Sequence, residues 1–372
     1  MALGWIATVS AQVTPAAGYT PPDDTPSIRV GATIYPNYTY QSNPPITDAD
    51  GNTVNRSSFD VSRAYINITG NISHIVNFRV TPDVTREGLA TSSLSGSLVF
   101  RVKYAFVQTN FDDWMTRGSW ARFGIQQTPY LDYTENIYRY RFQGTMFVER
   151  AGYFASADAG ASFHYNFPSN YGDVHVGVYN GENYNRAEVN DQKAIMVRAT
   201  VRPLAKGSPV LRGLRASIFY DGDNYLTDGP RQRLLFHVTY EHTYFNAAYE
   251  YLDTHDQTSA KPGTAKVEGK GYSIWATPKL PKPNGSSWEA LLRYDHLTPN
   301  ESNAFAPLLT AGNLTTPLNT QLQNRSILGA AYWFPHQGNV STAILFDWDY
   351  QHFTNITTAP VQVFGIHGLI NF

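Results

Sequence analysis

The chain of 372 residues has no cysteine, little charge and no long hydrophobic run. The absence of cysteine excludes disulfide bonds, thiolate metal sites and cysteine nucleophiles. Charged residues make up 16% of the chain, and the formal net charge of -2 leaves no basic surface of the kind that binds nucleic acid. No run reaches the roughly 18 apolar residues of a transmembrane helix, so any membrane-spanning part must be built from strands.

Aromatic residues, in contrast, are abundant. They make up 14% of the chain, with 25 Tyr and 20 Phe, and hydrophobic residues together make up 42%. Much Tyr with little charge is typical of alternating strands that have one face in lipid and one in water.

From residue 27 onwards the sequence alternates large apolar with polar or small residues, in segments of about ten that turn-forming residues separate. In segment 98–108 five apolar residues share one predicted face: Leu98, Phe100, Val102, Tyr104 and Phe106. Arg101 and Lys103 lie on the other face, which we expect to be wet. The pattern predicts sixteen strands near 27–40, 58–70, 74–85, 98–110, 119–127, 154–167, 173–181, 192–203, 213–222, 231–241, 244–254, 268–279, 287–297, 321–334, 340–352 and 360–372.

The last predicted strand indicates how the sheet closes. Phe364, Ile366, Ile370 and Phe372 fall on one side of a period-two pattern. We expect these even-numbered positions to face lipid and the strand to pair with the first strand, which begins near Ser27. The predicted fold is an all-β, transmembrane, antiparallel β-barrel, with Phe372 and Ile370 as the signal read by the barrel-assembly machinery.

The start of the chain has a different character. Residues 1–11 are apolar and end in a small-x-small cleavage pattern, which indicates the remnant of a secretory signal peptide. A disordered or buried apolar start is the alternative. Residues 12–26 carry four prolines and are predicted to form an extended periplasmic segment, and residues 27–372 form the barrel.

The predicted connections alternate between short turns and longer loops, as they do in barrels with short periplasmic turns and long outer loops. This places both termini in the periplasm of a Gram-negative bacterium, with outer-membrane lipids around the barrel. The predicted outer connections lie at 41–57, 86–97, 128–153, 182–191, 223–230, 255–267 and 298–320.

Six short motifs follow one another in residues 59–200. They are Phe59 to Gly70, Phe78 to Asp83, Tyr104 to Val107, Ala121 to Pro129, Phe147 to Arg150 and Val176 to Gly181. Their order and spacing resemble the phosphate-selective porin O and P family. The resemblance implies a sixteen-stranded channel, a homotrimer, and a long third loop folded into the lumen. It also implies selection of anions by arginine ladders and a lysine cluster, and no such lysine cluster can be mapped onto this chain.

In such a pore the residues that matter face the lumen at its narrowest point. The third loop, 128–153, is the predicted constriction, and Arg139 and Arg141 are expected to point the same way in an extended loop and to favour anions. In the alternative, these arginines pair with Asp132 and Glu135 and anchor the loop. The further residues predicted to line the pore are Asp132 and Glu135 of the same loop, together with Arg63, Arg101, Lys103, Arg122, Arg150, Arg198 and Arg202.

The function predicted from the sequence is passive diffusion of small hydrophilic solutes, either small anions such as phosphate or neutral molecules, across the outer membrane. Three alternatives remain: an oligosaccharide-permeable porin, a soluble all-β carbohydrate-binding protein, and a barrel plugged by its loops that serves as an adhesin. No pattern of catalytic residues, cofactor or metal ligands emerges, so an enzyme is not predicted.

Overall fold

The structure is a computed structural model that describes residues 24–188, 190–224, 229–257, 266–301, 323–335, 338, 340–354 and 359–372. The predicted signal peptide, 1–11, and most of the segment 12–26 lie outside these residues. Sixteen antiparallel strands form one closed barrel in which each strand pairs with its neighbours in the chain, and the last pairs with the first. The predicted fold class is confirmed. A sandwich or a propeller, the folds expected for the alternative of a soluble all-β carbohydrate-binding protein, is excluded.

The strand bounds follow the predicted segments closely, except at the first hairpin and at the third loop. The strands are β1 (Ser27–Thr47), β2 (Thr53–Asn71), β3 (Val76–Arg86), β4 (Leu98–Asn110), β5 (Trp120–Gln127), β6 (Ala157–Asn166), β7 (Gly172–Tyr179), β8 (Ala194–Val201), β9 (Leu214–Asn224), β10 (Pro230–His242), β11 (Phe245–Gln257), β12 (Lys266–Pro281), β13 (Ser287–Thr298), β14 (Gln323–Trp333), β15 (Ser341–Phe353) and β16 (Val361–Asn371). The helices α1 (Pro129–Glu135) and α2 (Phe147–Arg150) lie in the third loop. Neither is long enough to cross a membrane, and the described residues contain no helix that is.

The seam between β1 and β16 closes the barrel as the final strand predicts. The register runs from Thr33 opposite Asn371 to Asn43 opposite Gln362, and Ala32 and Phe372 exchange two backbone hydrogen bonds of 3.0 Å. The side chains of four even-numbered residues are exposed on the outside: Phe364, Ile366, Ile370 and Phe372. The predicted register of this strand, with the even-numbered positions on the outside of the barrel, is therefore confirmed.

In β4 the predicted register is wrong beyond Lys103. The partner of Thr81 is Tyr104 but the partner of Pro82 is Val102, so one residue is bulged out of the ladder. Proline has no backbone N–H to donate, so a bulge opposite Pro82 costs the ladder few hydrogen bonds. Because a shift of one residue turns the strand over, Tyr104 and Phe106 face the lumen and are buried there.

The first hairpin is longer than predicted, and its loop is shorter. Pairing continues to Thr47 opposite Thr53, so the predicted loop 41–57 shrinks to residues 48–52. Asp48 closes this loop because its carboxylate accepts hydrogen bonds from the backbone N–H groups of Asp50, at 3.0 Å, and Asn52, at 2.8 Å. An aspartate that bonds the backbone two residues ahead is a common turn former.

We expect replacement of Gly124 by alanine to destabilise the barrel by about 1–3 kcal/mol. Gly124, in the middle of β5, has a φ of +124°, and a Cβ atom there would lie 2.3 Å from the carbonyl oxygen of Ala105 on β4. The decrease in the free energy of unfolding can be measured by urea denaturation, monitored by tryptophan fluorescence. Gly51→Ala is the control, since its φ of +85° is also positive but no atom lies within 4 Å of its Cβ position. Equal losses for the two variants would contradict the clash.

Candidate functional site

The connection between β5 and β6, Thr128–Ser156, is the third of the predicted outer loops and is here called loop L3. It is folded into the barrel and contains α1 and α2. Its apolar side chains are almost fully buried: Tyr130, Leu131, Tyr138, Tyr140, Phe142, Phe147 and Val148. They form one cluster with inward-facing wall residues that include Met196, Phe219, Leu252, Trp275, Leu291, Ile327 and Leu345. An apolar patch on the lumen side of β8–β15 thus holds the loop, and the prediction that the third loop enters the lumen is confirmed.

Two tyrosines of L3 are hydrogen-bonded to carboxylates on the later strands. The hydroxyl of Tyr130 donates to Glu250 on β11, and that of Tyr140 donates to Glu289 on β13 at 2.8 Å. All four residues are buried. These wall acids therefore anchor the loop and are not free to act on solutes.

Wall arginines also hold the L3 backbone. Arg198 Nε on β8 donates to the carbonyl of Pro129 at 3.0 Å, and Arg293 Nη1 on β13 donates to that of Thr145 at 3.2 Å. Arg150 in α2 lies 3.5 Å from Asp295. Arg150 and Arg198, predicted to line the pore, thus fix L3 against the β8–β15 wall.

On its other face L3 meets β2 through a group of ion pairs, here called the L3 latch (Arg63, Glu135, Arg141 and Glu149). Arg141 Nη1 lies 2.6 Å from Glu135 and 2.8 Å from Glu149. Arg63 Nη2 on β2 lies 4.0 Å from the second oxygen of Glu149. The latch joins the loop to the opposite wall, so it narrows the lumen at this level.

The prediction that Arg139 and Arg141 point the same way is wrong. Arg139 turns to the far wall, where its guanidinium lies 3.3 Å from Glu289 and 3.8 Å from the centre of the Trp333 ring. Arg141 turns towards β2 and the latch. The segment between α1 and α2 consists of turns, so the alternation of an extended chain does not apply to it.

The strands from β2 to β5 carry seven basic side chains, of which Arg56 and Arg86 are exposed. The other five form the basic wall that faces L3: Arg63, Arg79, Arg101, Lys103 and Arg122. Arg63 and Arg101 both lie 3.2 Å from Asp83, and Arg122 lies 3.3 Å from Asp132 in α1. Sequence reasoning found four of these basic residues and missed Arg79. The sequence feature that could have identified Arg79 is its alternation with Thr81 and Asp83, since both of these residues are buried on the lumen side.

Aromatic rings interleave with these basic side chains. Lys103 Nζ lies 4.8 Å from the ring centre of Tyr65 and 5.3 Å from that of Tyr104. Arg122 lies 3.7 Å from the ring centre of Trp120. A ring that faces a cation stabilises its charge without neutralising it.

Arg202 is not brought to this site. It follows the end of β8 at Val201 and donates a hydrogen bond of 3.2 Å to the carbonyl of Arg212, in the turn before β9. The register predicted the correct side of the sheet, but the strand ends one residue earlier. Arg202 therefore lies beside the turn between β8 and β9, outside the strand.

We expect the L3 latch to persist from neutral pH down to about pH 4.5 and to loosen below it. Burial opposes the ionisation of Glu149, but the charges of Arg141, Lys103 and Arg63 outweigh it and hold the pKa of Glu149 below its usual value of 4.5. A carboxylate whose pKa is lower in the folded protein stabilises the fold at every pH above its pKa in the unfolded chain. This contribution is lost as the pH falls through the lower pKa of the folded protein. Single-channel current should change as the pH falls below about 4.5.

Glu149→Gln should abolish this acid response, because glutamine does not titrate. Glu87→Gln, outside L3 in the connection that follows β3, is the matched control and should leave the response as it is. An acid response that survives Glu149→Gln would contradict the assignment.

The chain was compared with known proteins. No protein-family model matches it, and no curated protein matches it. Among solved structures, the anion-selective porin from Comamonas acidovorans is 12% identical with a TM-score of 0.62, and the match covers 94% of this chain and 100% of that chain. The trimer form of OmpT, an outer-membrane protein of Vibrio cholerae, is 10% identical with a TM-score of 0.55, over 94% and 100%. OmpF of Salmonella typhi, in complex with daunomycin, is 10% identical with a TM-score of 0.56, over 93% and 97%.

Identities this low show the fold alone. They support a porin-like barrel in general, which is coarser than the phosphate-selective family that the motifs resemble. By its architecture, the chain is a closed, sixteen-stranded, antiparallel barrel of the porin type, with its third loop in the lumen.

Proposed function

We propose that this protein is an outer-membrane porin that passes small hydrophilic solutes by passive diffusion and prefers small anions, phosphate among them. The observation that carries the proposal is the basic wall of β2–β5 opposite L3. With Arg141 added, six basic side chains face four acidic ones in this region: Asp83, Asp132, Glu135 and Glu149. A surplus of positive charge in a narrow, low-dielectric passage raises the local concentration of anions.

The outer surface supports a place in the outer membrane of a Gram-negative bacterium. Large apolar side chains are exposed around the barrel, for instance Phe123, Ile274 and Phe346. At the end where β13 begins and β14 ends, Trp288 packs on Tyr332 with ring centres 4.9 Å apart, as in the aromatic girdle of a membrane interface. Phe372 and Ile370, exposed at the closing seam, would be read by the assembly machinery.

We also propose a homotrimer. Its support is the likeness in fold to OmpT of Vibrio cholerae, whose structure is a trimer form. Cross-linking of the detergent-extracted protein, followed by gel electrophoresis without heating, tests the stoichiometry.

Single-channel recording in a planar bilayer tests the function. In a tenfold gradient of KCl the reversal potential should have the sign of chloride preference, and the preference should weaken at high salt because exposed charges are screened. A reversal potential at zero or of the opposite sign would refute the anion preference. Absence of any conductance would refute a porin and favour the plugged barrel.

Sugar permeation is the second candidate. The observation in its favour is the presence of aromatic rings on the lumen wall, on which sugars could stack. Tyr65, Tyr104 and Trp120 line the β2–β5 wall, but each lies beneath a cation. The ring face that a guanidinium or ammonium group covers cannot stack on a sugar, and Tyr104 and Trp120 are also buried. Block of the ion current by maltodextrins at millimolar concentration would support sugar binding; an unaffected current would refute it.

A further inference from the structure

The barrel wall is split between β2 and β3 near their loop ends. Backbone pairing of these strands within the described chain runs only from Tyr65 opposite Asp83 to Asn71 opposite Asn77. Yet β2 begins at Thr53 and β3 continues to Arg86. The opening, here called the β2–β3 cleft, is a cavity of about 210 Å³, and the residues that define it are Asp60, Arg63, Val84, Arg86, Leu98 and Arg101.

The cleft reaches from the lumen to the outside of the barrel. Arg63 and Arg101 belong to the lumen wall, and both form salt bridges with Asp83, which is fully buried. Leu98, at the start of β4, is exposed on the outer surface. One cavity therefore has a charged inner end and an apolar outer rim.

The cleft lies at the height of lipid headgroups. β4 (Leu98–Asn110) has 13 residues. At about 3.3 Å per residue and a tilt of about 40°, such a strand rises roughly 30 Å, the thickness of the hydrocarbon core. With the termini in the periplasm, Leu98 and the cleft beside it are at the outer edge of the bilayer. An open sheet edge is tolerated there and not within the hydrocarbon.

Arginines lie at both ends of the cleft: Arg63 and Arg101 at the lumen end, and Arg86 at the outer end, where it is paired in register with Leu98. The guanidinium groups of Arg63, Arg86 and Arg101 face the carboxylates of Asp60 and Asp83. Arg101 Nε is buried and has no hydrogen-bond partner among the described residues. Arg86, about half exposed, donates to the carbonyl of Gly96 at 2.6 Å and to Asp60. Arg63 also lies 4.0 Å from Glu149 of the latch, so three guanidinium groups meet three carboxylates. What remains for an anion is the unpaired Nε–H of Arg101 beside the half-exposed guanidinium of Arg86.

The outside of the wall next to the cleft is strongly apolar. Phe59 on β2 and Phe100 on β4 are 85% and 66% exposed. An acyl chain that descends from a headgroup in the cleft would lie along Leu98 and Phe100. A free inorganic anion would make no use of this surface.

We propose that the β2–β3 cleft binds the phosphate headgroup of an anionic lipid of the outer leaflet, with Arg86 and Arg101 on the phosphate and the acyl chain on the outer face of β4. A lipid bound in this way would fill the split between the two strands. The height of the site rests on the proposed outer-membrane location, but binding in detergent can be tested without any conductance.

The test is native mass spectrometry of the refolded barrel in dodecyl maltoside, titrated with lysophosphatidic acid. We expect lysophosphatidic acid adducts that Arg86→Gln/Arg101→Gln weakens by about tenfold or more, since charge-assisted hydrogen bonds to phosphate are lost. Arg215→Gln, which removes an arginine paired with Glu241 elsewhere in the barrel, should bind as the wild type does. Equal binding by the double variant would overturn the site.

Competition separates a lipid from a free anion. Inorganic phosphate at millimolar concentration should not displace lysophosphatidic acid if the chain contributes to binding. Displacement at concentrations comparable to those of the lipid would overturn the lipid and leave a phosphate site.

A second measurement does not depend on the arginine variants. Because the chain has no cysteine, Val84→Cys can carry a single bimane label beside the cleft, and Ile274→Cys one on the outside of β12. Lysophosphatidic acid with a brominated chain should quench the label at position 84 saturably, and that at position 274 only weakly. Equal quenching at both positions would refute a specific site.

Discussion

Replacing Arg141 with alanine is expected to lower the anion-to-cation permeability ratio by about threefold or more, because an uncompensated negative charge is left in the narrow lumen. Arg141 is the cation that Glu135 and Glu149 share, and its side chain is 9% exposed. Removal of one partner of a buried ion pair is costly, of the order of 3–5 kcal/mol, because a buried charge is left unpaired. We expect L3 to shift as well, which single-channel recording would show as larger and noisier current.

Arg139→Ala is the matched control, since it removes the same group from the same loop. Arg139 lies against Trp333 and Glu289 on the far wall, and its side chain is 39% exposed. The permeability ratio should change little. Equal effects of the two substitutions would show that only the charge of L3 matters and not the latch.

A second substitution can restore the charge balance. Glu149→Gln in the Arg141→Ala background removes one of the two stranded carboxylates, and the permeability ratio should return towards that of the wild type. Glu289→Gln in the same background should not restore it. Residues of one ion-pair network are expected to be non-additive in this way; simple additivity would argue against a latch.

The sixteen strands could be predicted from the sequence because each barrel strand repeats the same physical choice between lipid and water. On β16 the exposed Phe364 and Ile366 alternate with the lumen-facing Gly365 and His367, so the period of two is readable residue by residue. The lumen side of β13 follows the same rule, with Glu289, Arg293 and Asp295 buried inside. Local alternation is therefore sufficient to predict such strands and the side of the barrel that each residue faces.

Where alternation is interrupted, the sequence misleads. The bulge beside Lys103 depends on Pro82 of the neighbouring strand, which the sequence of β4 does not contain. Tyr104 and Phe106 are apolar enough for lipid, so composition could not reveal that they face the lumen. Bulges arise from the pairing of two strands and become visible only when both are placed.

The loop shows a further limit. The apolar residues of L3 indicate burial, but their partners, such as Phe219, Leu291 and Ile327, come from distant strands. These wall residues are apolar on the side that alternation assigns to water. A lumen wall with an apolar patch on β8–β15 and basic side chains on β2–β5 is a property of the closed barrel, and it explains why the apolar residues of L3 pack on one side.

The triple variant Arg79→Gln/Lys103→Met/Arg122→Gln is expected to convert the channel from anion to cation preference. It removes the basic side chains of the β2–β5 wall that lie outside the latch and outside the β2–β3 cleft. Arg63, Arg101 and Arg141 then face four carboxylates, so the local charge changes sign. Since charges act over about 10 Å at 0.1 M salt, the reversal potential in a KCl gradient should change sign at low salt and approach zero at 1 M.

The control removes three basic residues that lie in exposed turns outside the strands: Lys206→Gln/Arg212→Gln/Lys282→Gln. It makes the same change in net charge, so a sign reversal in both triples would assign selectivity to the total charge of the protein and refute the wall. Migration on gels with and without heating verifies that each variant is folded. A folded wall triple that still prefers chloride would refute the basic wall as the selectivity element, because the acidic side chains that face it would then outnumber the basic ones without effect.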